Sequence, residues 1–190
     1  SNYTFANNRN DEANEAMVFS ANTSVQIPTE NSLNFHDRPF SLTFWVNPTI
    51  LAENGATILS NGENGAGISF GVSSEGHLTY TDHAQGNTYE SSYSVLQNSW
   101  SYITWKYDNV KRKLALYYNG FLIQNWTNVV SPLESSTNIT IGNNFEGKQF
   151  IGLLDELSLY GRLISDEAIL DEADIQTNRG GVLKVTSSQM

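Results

Sequence analysis

The chain has 190 residues, of which 39% are hydrophobic, 12% aromatic and only 16% charged, a globular profile that argues against intrinsic disorder. Ten basic against twenty acidic residues leave a net charge of −10, which argues against nucleic acid and anionic membranes as partners and is compatible with a hard cation such as calcium. Cysteine is absent, so disulfides, thiolate metal sites and thiol nucleophiles are excluded, and no apolar run approaches the roughly eighteen residues of a membrane span.

Between Phe40 and Tyr160, β-branched and aromatic residues cluster between Gly, Asn, Asp and Ser, which predicts strands separated by turns and an all-β fold. Residues 40–46 alternate, with Phe40, Leu42, Phe44 and Val46 on one face and Pro48 as a stop. Further strands are expected at 57–60, 68–72, 78–81, 100–107, 113–118, 121–126, 138–141 and 151–160. Ser74-Glu75-Gly76 turns a hairpin, and Asn119-Gly120 between two apolar runs marks a type I′ hairpin, whose central residues both need positive φ. One short C-terminal helix is expected over 166–174, capped by Ser165, with Asp166 and Glu167 set against the dipole and Ile164 placed to staple onto Ile169. Residues 179–190 read as a linker or a terminal strand, and the expected organisation is one domain over 1–190. Sequons at Asn2, Asn22, Asn125 and Asn138 are no more than an Asn-, Ser- and Thr-rich chain gives by chance. If the chain is exported, its signal is expected upstream of Ser1.

Several stretches carry a resemblance to the laminin-G-like family. FSLTFWVNP at 40–48 resembles one family strand, and SWSYITWKYD at 99–108 resembles another, followed at the family's spacing by LYYNG at 116–120. Ile141-Gly142 and the run GLLDELSLYGRLISDEAI at 152–169 are similar to the family's C-terminal motifs. NRNDEANEA at 8–16 resembles its N-terminal motif, with Asn8 where Asp is usual and Asp11 where Gly is usual. Pentraxins share the strand order but usually carry a cysteine pair that is missing here. The resemblance implies a two-sheet antiparallel β-sandwich of the jelly-roll, concanavalin-A-like kind, with a concave sheet whose rim loops serve ligands. It implies an extracellular or cell-surface module of a larger parent chain whose partner is a glycan or an extracellular protein.

Period-two alternation places Asp155 on one face with Ile151, Leu153, Leu157 and Leu159, opposite Glu156, Ser158 and Tyr160. A carboxylate in an apolar row needs compensation from a bound cation, from an arginine such as Arg9 or Arg162, or from hydrogen bonds. The resemblance implies a structural calcium ion held by Asp155 with oxygen atoms of Asn8 and Asp11. Trp45, Trp100 and Trp105 are expected in the core. Tyr80, Tyr89, Tyr93 and Trp126 lie in polar surroundings and, with His83, are the candidates for stacking on sugar; packing at a sandwich edge is the alternative.

Catalysis is argued against. Glucanases of this architecture carry a Glu-x-Asp-x-x-Glu run that does not occur here, and the adjacent Asp155 and Glu156 are expected to point to opposite faces. His36, His77 and His83 lack metal spacing, and no Gly-x-Ser-x-Gly nucleophile is present. The expected function is a non-catalytic carbohydrate-binding or adhesion module with a structural calcium. The alternatives are a protein-interaction module without a sugar site and, third, a glycoside hydrolase.

Overall fold

The computed structural model describes residues 4–28, 35–63 and 65–173. Its strands, numbered along the chain, form two sheets in which all strand pairs are antiparallel. The seven-stranded sheet runs β1 (Thr4–Ala6), β2 (Ala16–Phe19), β13 (Ile151–Tyr160), β4 (Phe40–Ile50), β9 (Ser101–Asp108), β10 (Lys113–Tyr118), β11 (Phe121–Thr127). The six-stranded sheet runs β3 (Val25–Ile27), β12 (Ile139–Ile141), β5 (Ala56–Ser60), β6 (Ile68–Val72), β7 (His77–Asp82), β8 (Asn87–Ser94). The all-β sandwich with one short helix is therefore as the sequence predicts.

Alternation builds the core. Leu42 and Phe44 of β4 and Trp105 and Tyr107 of β9 face Ile68 and Phe70 of β6 and Leu78 and Tyr80 of β7, all buried between the sheets. Their rings interlock, with Phe40 to Phe70 at 5.9 Å and Phe70 to Trp105 at 6.0 Å between centroids. A second core lies on the outer face of the seven-stranded sheet, where α1 (Asp166–Ala173) brings Ile169 and Ala173, with Ile164 before it, onto Trp45, Tyr102, Ala115 and Tyr117. Ser165 caps this helix as predicted, its Oγ accepting the Ala168 N–H at 3.1 Å. Asp166 in the first turn accepts from Lys106 Nζ at 2.8 Å and from the Tyr117 hydroxyl at 2.7 Å, which fixes the helix to the sheet. Asp174 and residues 179–190 lie outside the described residues.

Two expectations need correction. Pro48 does not stop β4, which continues to Ile50. Pairing with β9 ends at Val46, and the Pro48 carbonyl points to that side, accepting the Asn98 N–H at 2.7 Å. The missing proline N–H thus falls where no ladder bond is needed. β13 also fails to alternate throughout, because it carries an irregularity between Asp155 and Ser158, where Glu156 takes a φ of 49°. Leu154, Leu157 and Leu159 face the inter-sheet core, whereas Asp155 lies beside Trp45 on the opposite face, not in one row with Leu157 and Leu159.

The Asn119-Gly120 hairpin forms as predicted, with φ of 51° and 84° and Tyr118 opposite Phe121. A Cβ on Gly120 meets Leu170 Cδ1 at 2.9 Å and Ala173 Cβ at 3.2 Å, so a side chain there also presses on α1. Gly120→Val is expected to destabilise the domain by about 1–3 kcal/mol, read as a lower denaturant midpoint; an unchanged midpoint contradicts the turn's role.

Candidate functional site

Alternation in the six-stranded sheet separates two chemistries. Inward positions are mostly apolar, with Asp82 and Ser91 as buried exceptions; outward ones are small and hydroxylic, with Ser69 and Gly71 on β6, Thr79 and Thr81 on β7, Thr57 on β5 and Thr88 on β8. A floor of small residues leaves room, and a groove of about 630 Å³ crosses these strands. A second groove of about 470 Å³ lies over β3, β12 and β5, floored by Gln26, Thr140 and Ser60. Asn144 and Phe145 line both.

Phe145 is 51% exposed, although it is a large apolar side chain. The loop that carries it is pinned. Asn144 Oδ1 accepts the N–H groups of Glu146 and Lys148, both at 3.0 Å, and the Lys148 carbonyl accepts the Thr57 N–H at 2.9 Å. Gln149 Nε2 donates to the carbonyls of Thr23 and Gly142, each at 2.8 Å. His83 packs edge-on against Phe145, centroids 5.1 Å apart, and its Nε2 lies 3.0 Å from Ser69 Oγ. Phe145 and His83 together make a rigid aromatic wall over a polar floor, which is the make-up of a shallow ligand site.

Burial is the main cause that lowers the His83 pKa, against the opposing pull of Glu146 and Asp82. The folded state thus favours neutral imidazole, and stability falls as pH drops through 6.5 towards the folded value. His83→Gln is expected to flatten that slope in melting curves recorded on either side of 6.5; an equal slope in both proteins contradicts it.

The other aromatic candidates do not join this wall. Tyr80 is fully buried, with its ring against Phe70, Tyr89 and Trp105, so it cannot stack on an external ligand. Its polar neighbours Thr79 and Thr81 are the outward face of an alternating strand, whereas Tyr80 itself points inward. Tyr89 and Trp126 close the edge between β8 and β11: Trp126 stacks on Trp105 at 5.7 Å and 19°, and Tyr89 meets it edge-on at 6.0 Å. Ser92 N–H donates to Gln124 Oε1 at 2.9 Å across the same edge. Tyr93 is 50% exposed on β8 and does not line either groove. The sequence reading missed Phe145, although the polar setting Asn143-Asn144-Phe145-Glu146 is the signal applied to the tyrosines.

The N-terminal candidates form a separate cluster. Arg9 lies over the Trp45 ring at 4.4 Å, and its Nη1 is 3.6 Å from Asp155 Oδ2 and 3.3 Å from Glu156 Oε2. The irregularity in β13 brings both carboxylates to one guanidinium, so the expectation that they point apart does not hold. Asp155 Oδ1 accepts the Glu156 N–H at 2.8 Å, while Oδ2 is buried without a hydrogen bond. Burial is the leading cause that raises the Asp155 pKa; the Glu156 N–H and Arg9 act the other way. Asn8 Oδ1 is taken by the N–H groups of Asn10, at 2.8 Å, and Glu12, at 3.1 Å, and Asp11 is exposed. Asp155 Oδ2 alone of these three residues thus offers a buried free oxygen, and a cation already faces it. Among the described residues, no group of three or more His, Cys, Asp or Glu is placed to hold a metal. This donor set does not fit calcium, which takes six to eight oxygens. Arg162 lies over Tyr160 at 5.5 Å.

The model of the concanavalin A-like lectin/glucanases superfamily matches residues 19–170, and the chain belongs to that superfamily. No curated protein sequence matches it. Among solved structures, it resembles the binding domain of Paraclostridial Mosquitocidal Protein 1 at 20% identity and a TM-score of 0.71, covering 93% of this chain and 46% of that one. It resembles domain 4 of AbnA, a GH43 extracellular arabinanase from Geobacillus stearothermophilus in complex with arabinotriose, at 18% identity and a TM-score of 0.70, covering 92% and 82%. The binding domain of botulinum neurotoxin serotype G aligns at 19% identity and a TM-score of 0.70, covering 94% and 46%. The chain spans about half the length of the two toxin binding domains. Among the described residues no helix is long and apolar enough to cross a membrane.

Proposed function

We propose that the protein is a non-catalytic glycan-binding module acting outside the cell as part of a longer chain, with its site in the grooves beside Phe145. The observation that carries this is the half-exposed ring of Phe145, held by a pinned loop over a floor of Ser and Thr hydroxyls. A sugar has apolar C–H faces and an equatorial belt of hydroxyls, and such a wall and floor satisfy both. Membership of the concanavalin A-like superfamily and the likeness to a domain of an extracellular arabinanase solved with arabinotriose support the same reading.

The chemistry of the rim argues against hydrolysis. A general acid must hold a proton near neutrality, yet the Glu146 pKa is lowered, first by its hydrogen bond to Lys148, 2.9 Å away. The other rim carboxylates, Glu53 and Glu90, sit on separate elements, the β4–β5 connection and β8. No release of reducing sugar is expected from any common polysaccharide; sustained release abolished by Glu53→Gln or Glu90→Gln contradicts the non-catalytic reading.

For the calcium expected from the sequence, we infer that Arg9 is instead the cation Asp155 uses. Chelator is expected to leave the melting midpoint unmoved. A bound structural calcium present at about 100 times its Kd adds roughly 2.7 kcal/mol; such a rise, lost in Asp155→Asn, restores calcium to the site.

The glycan reading itself is tested by electrophoresis through gels containing polysaccharides. At least one should retard the wild type, and Phe145→Ala should weaken binding about tenfold or more, ~1.4 kcal/mol, as truncation of a central aromatic contact does. Equal retardation of both proteins moves the site elsewhere, and no retardation by any polysaccharide favours a protein partner.

A further inference from the structure

The two grooves meet at Phe145, and that junction says more about the ligand than either groove alone. The larger reaches from β5 across β6 and β7 to β8; the smaller continues across β12 to β3. Together they cross every strand of the six-stranded sheet, hence five inter-strand spacings of about 4.8 Å, or roughly 24 Å. One pyranose ring is about as long as one such spacing, so the track has room for about five rings. Both grooves lie on the outer surface of the sheet, and Asn144 and Phe145 line each of them.

The charge along the track is predominantly negative. Lys148 is the single lysine or arginine among the residues lining the grooves, and it is already paired with Glu146 at 2.9 Å. Glu53 and Glu90 add two further carboxylates on the rim. Burial keeps the His83 imidazole neutral near neutrality, so it supplies no compensating cation. A sulfate or carboxylate on the ligand would meet this field with only the Lys148 ammonium, already paired with Glu146, to receive it, within a chain whose net charge is −10. Thr, Ser and Asn along both grooves, with Gln26 in the smaller, instead offer the paired donors and acceptors that uncharged hydroxyls need.

Resting on the reading of this face as a glycan site, we propose that its ligand is an internal segment of an uncharged linear polysaccharide that passes over Phe145 and occupies both grooves. Its backbone runs across the strands, with Phe145 at the midpoint. Sulfated and uronic-acid glycans are rejected by charge.

The test measures binding of neutral oligosaccharides of two to eight rings, cut from whichever of arabinan, xylan, mannan or β-glucan retards the protein, by calorimetry. Heparan sulfate and polygalacturonate serve as anionic probes. Affinity is expected to rise with length and level off near five or six rings, and the anionic probes are expected not to bind at low ionic strength. Thr79→Trp blocks the larger groove and Thr140→Trp the smaller, and each is expected to reduce long-chain affinity at least tenfold. Near-ultraviolet circular dichroism checks that both fold, and Phe145→Ala, on an exposed loop, reports on the junction should either fail. Full affinity for a disaccharide, or loss on blocking one groove only, overturns the spanning mode while leaving the glycan reading intact. Preference for an anionic probe overturns the ligand class in the same way. Binding to no glycan removes the reading and this inference together.

Discussion

Arg9→Met is expected to lower the unfolding free energy by about 3 kcal/mol, the scale on which a buried ion pair loses one partner. The Arg9 and Asp155 side chains are only 13% and 11% exposed, so water cannot take over the solvation of Asp155 Oδ2 when the guanidinium leaves. Loss of the contact with Trp45, 4.4 Å away, adds to the cost, since that ring belongs to the core beneath α1. The sign with pH follows from burial. Asp155 has a folded pKa raised above 3.8, so the folded state binds its proton more tightly than the unfolded one. Acidification from above the folded value towards 3.8 therefore favours the folded state at this site, and the deficit of Arg9→Met should shrink over that interval. Asp155→Asn added to Arg9→Met should recover most of the loss, because it removes the stranded charge. Denaturant titration of the four proteins checks the cycle; additive losses mean that the two residues are not coupled.

Trp126→Ala is expected to cost about 3 kcal/mol as well, without changing glycan binding by the folded protein. Trp126 stacks on the fully buried Trp105 and carries Tyr89 on its edge, so its removal opens the side of the sandwich between β8 and β11 to water. The chevron or equilibrium midpoint measures the first effect and calorimetry the second. Weakened binding with an unchanged midpoint makes Trp126 a ligand platform and contradicts its role as an edge closure.

The residues whose conformation is dictated locally were the legible ones. Asn119-Gly120 and the Ser165 cap carry their geometry in two or three residues, and both form as the sequence indicates. The small, hydroxyl-bearing outward face of β6 and β7 was equally open to reading, since Ser69, Gly71, Thr79 and Thr81 alternate with Ile68, Phe70, Leu78 and Tyr80. Tyr80 was misplaced because flanking polarity was taken for exposure, when in a strand the flanking residues face the other way. Asp155 was put in one row with Leu157 and Leu159 because period-two counting assumes an unbroken strand, and the left-handed backbone of Glu156 interrupts it. β8 was missed for lack of apolar residues at the sheet's edge, and the short strands β1, β2 and β3 lie outside the span in which strands were sought. Phe145 carried the same local sign as the tyrosines, an aromatic in a polar run, but that sign does not separate it from the buried Tyr80; the meeting of two grooves lined by residues from 24 to 148 does, and that meeting is not local.

The assignment of the groove is tested most directly by amide chemical shifts recorded as a neutral oligosaccharide that binds is added to labelled protein. Perturbations should gather at Ser69, Thr79, Thr81, His83, Asn144, Phe145 and Thr140, on the outer face of the six-stranded sheet. Perturbations centred on Arg9, Asp155 and Glu156, or on Tyr93 at the β8 edge, with the groove residues unmoved, would contradict it.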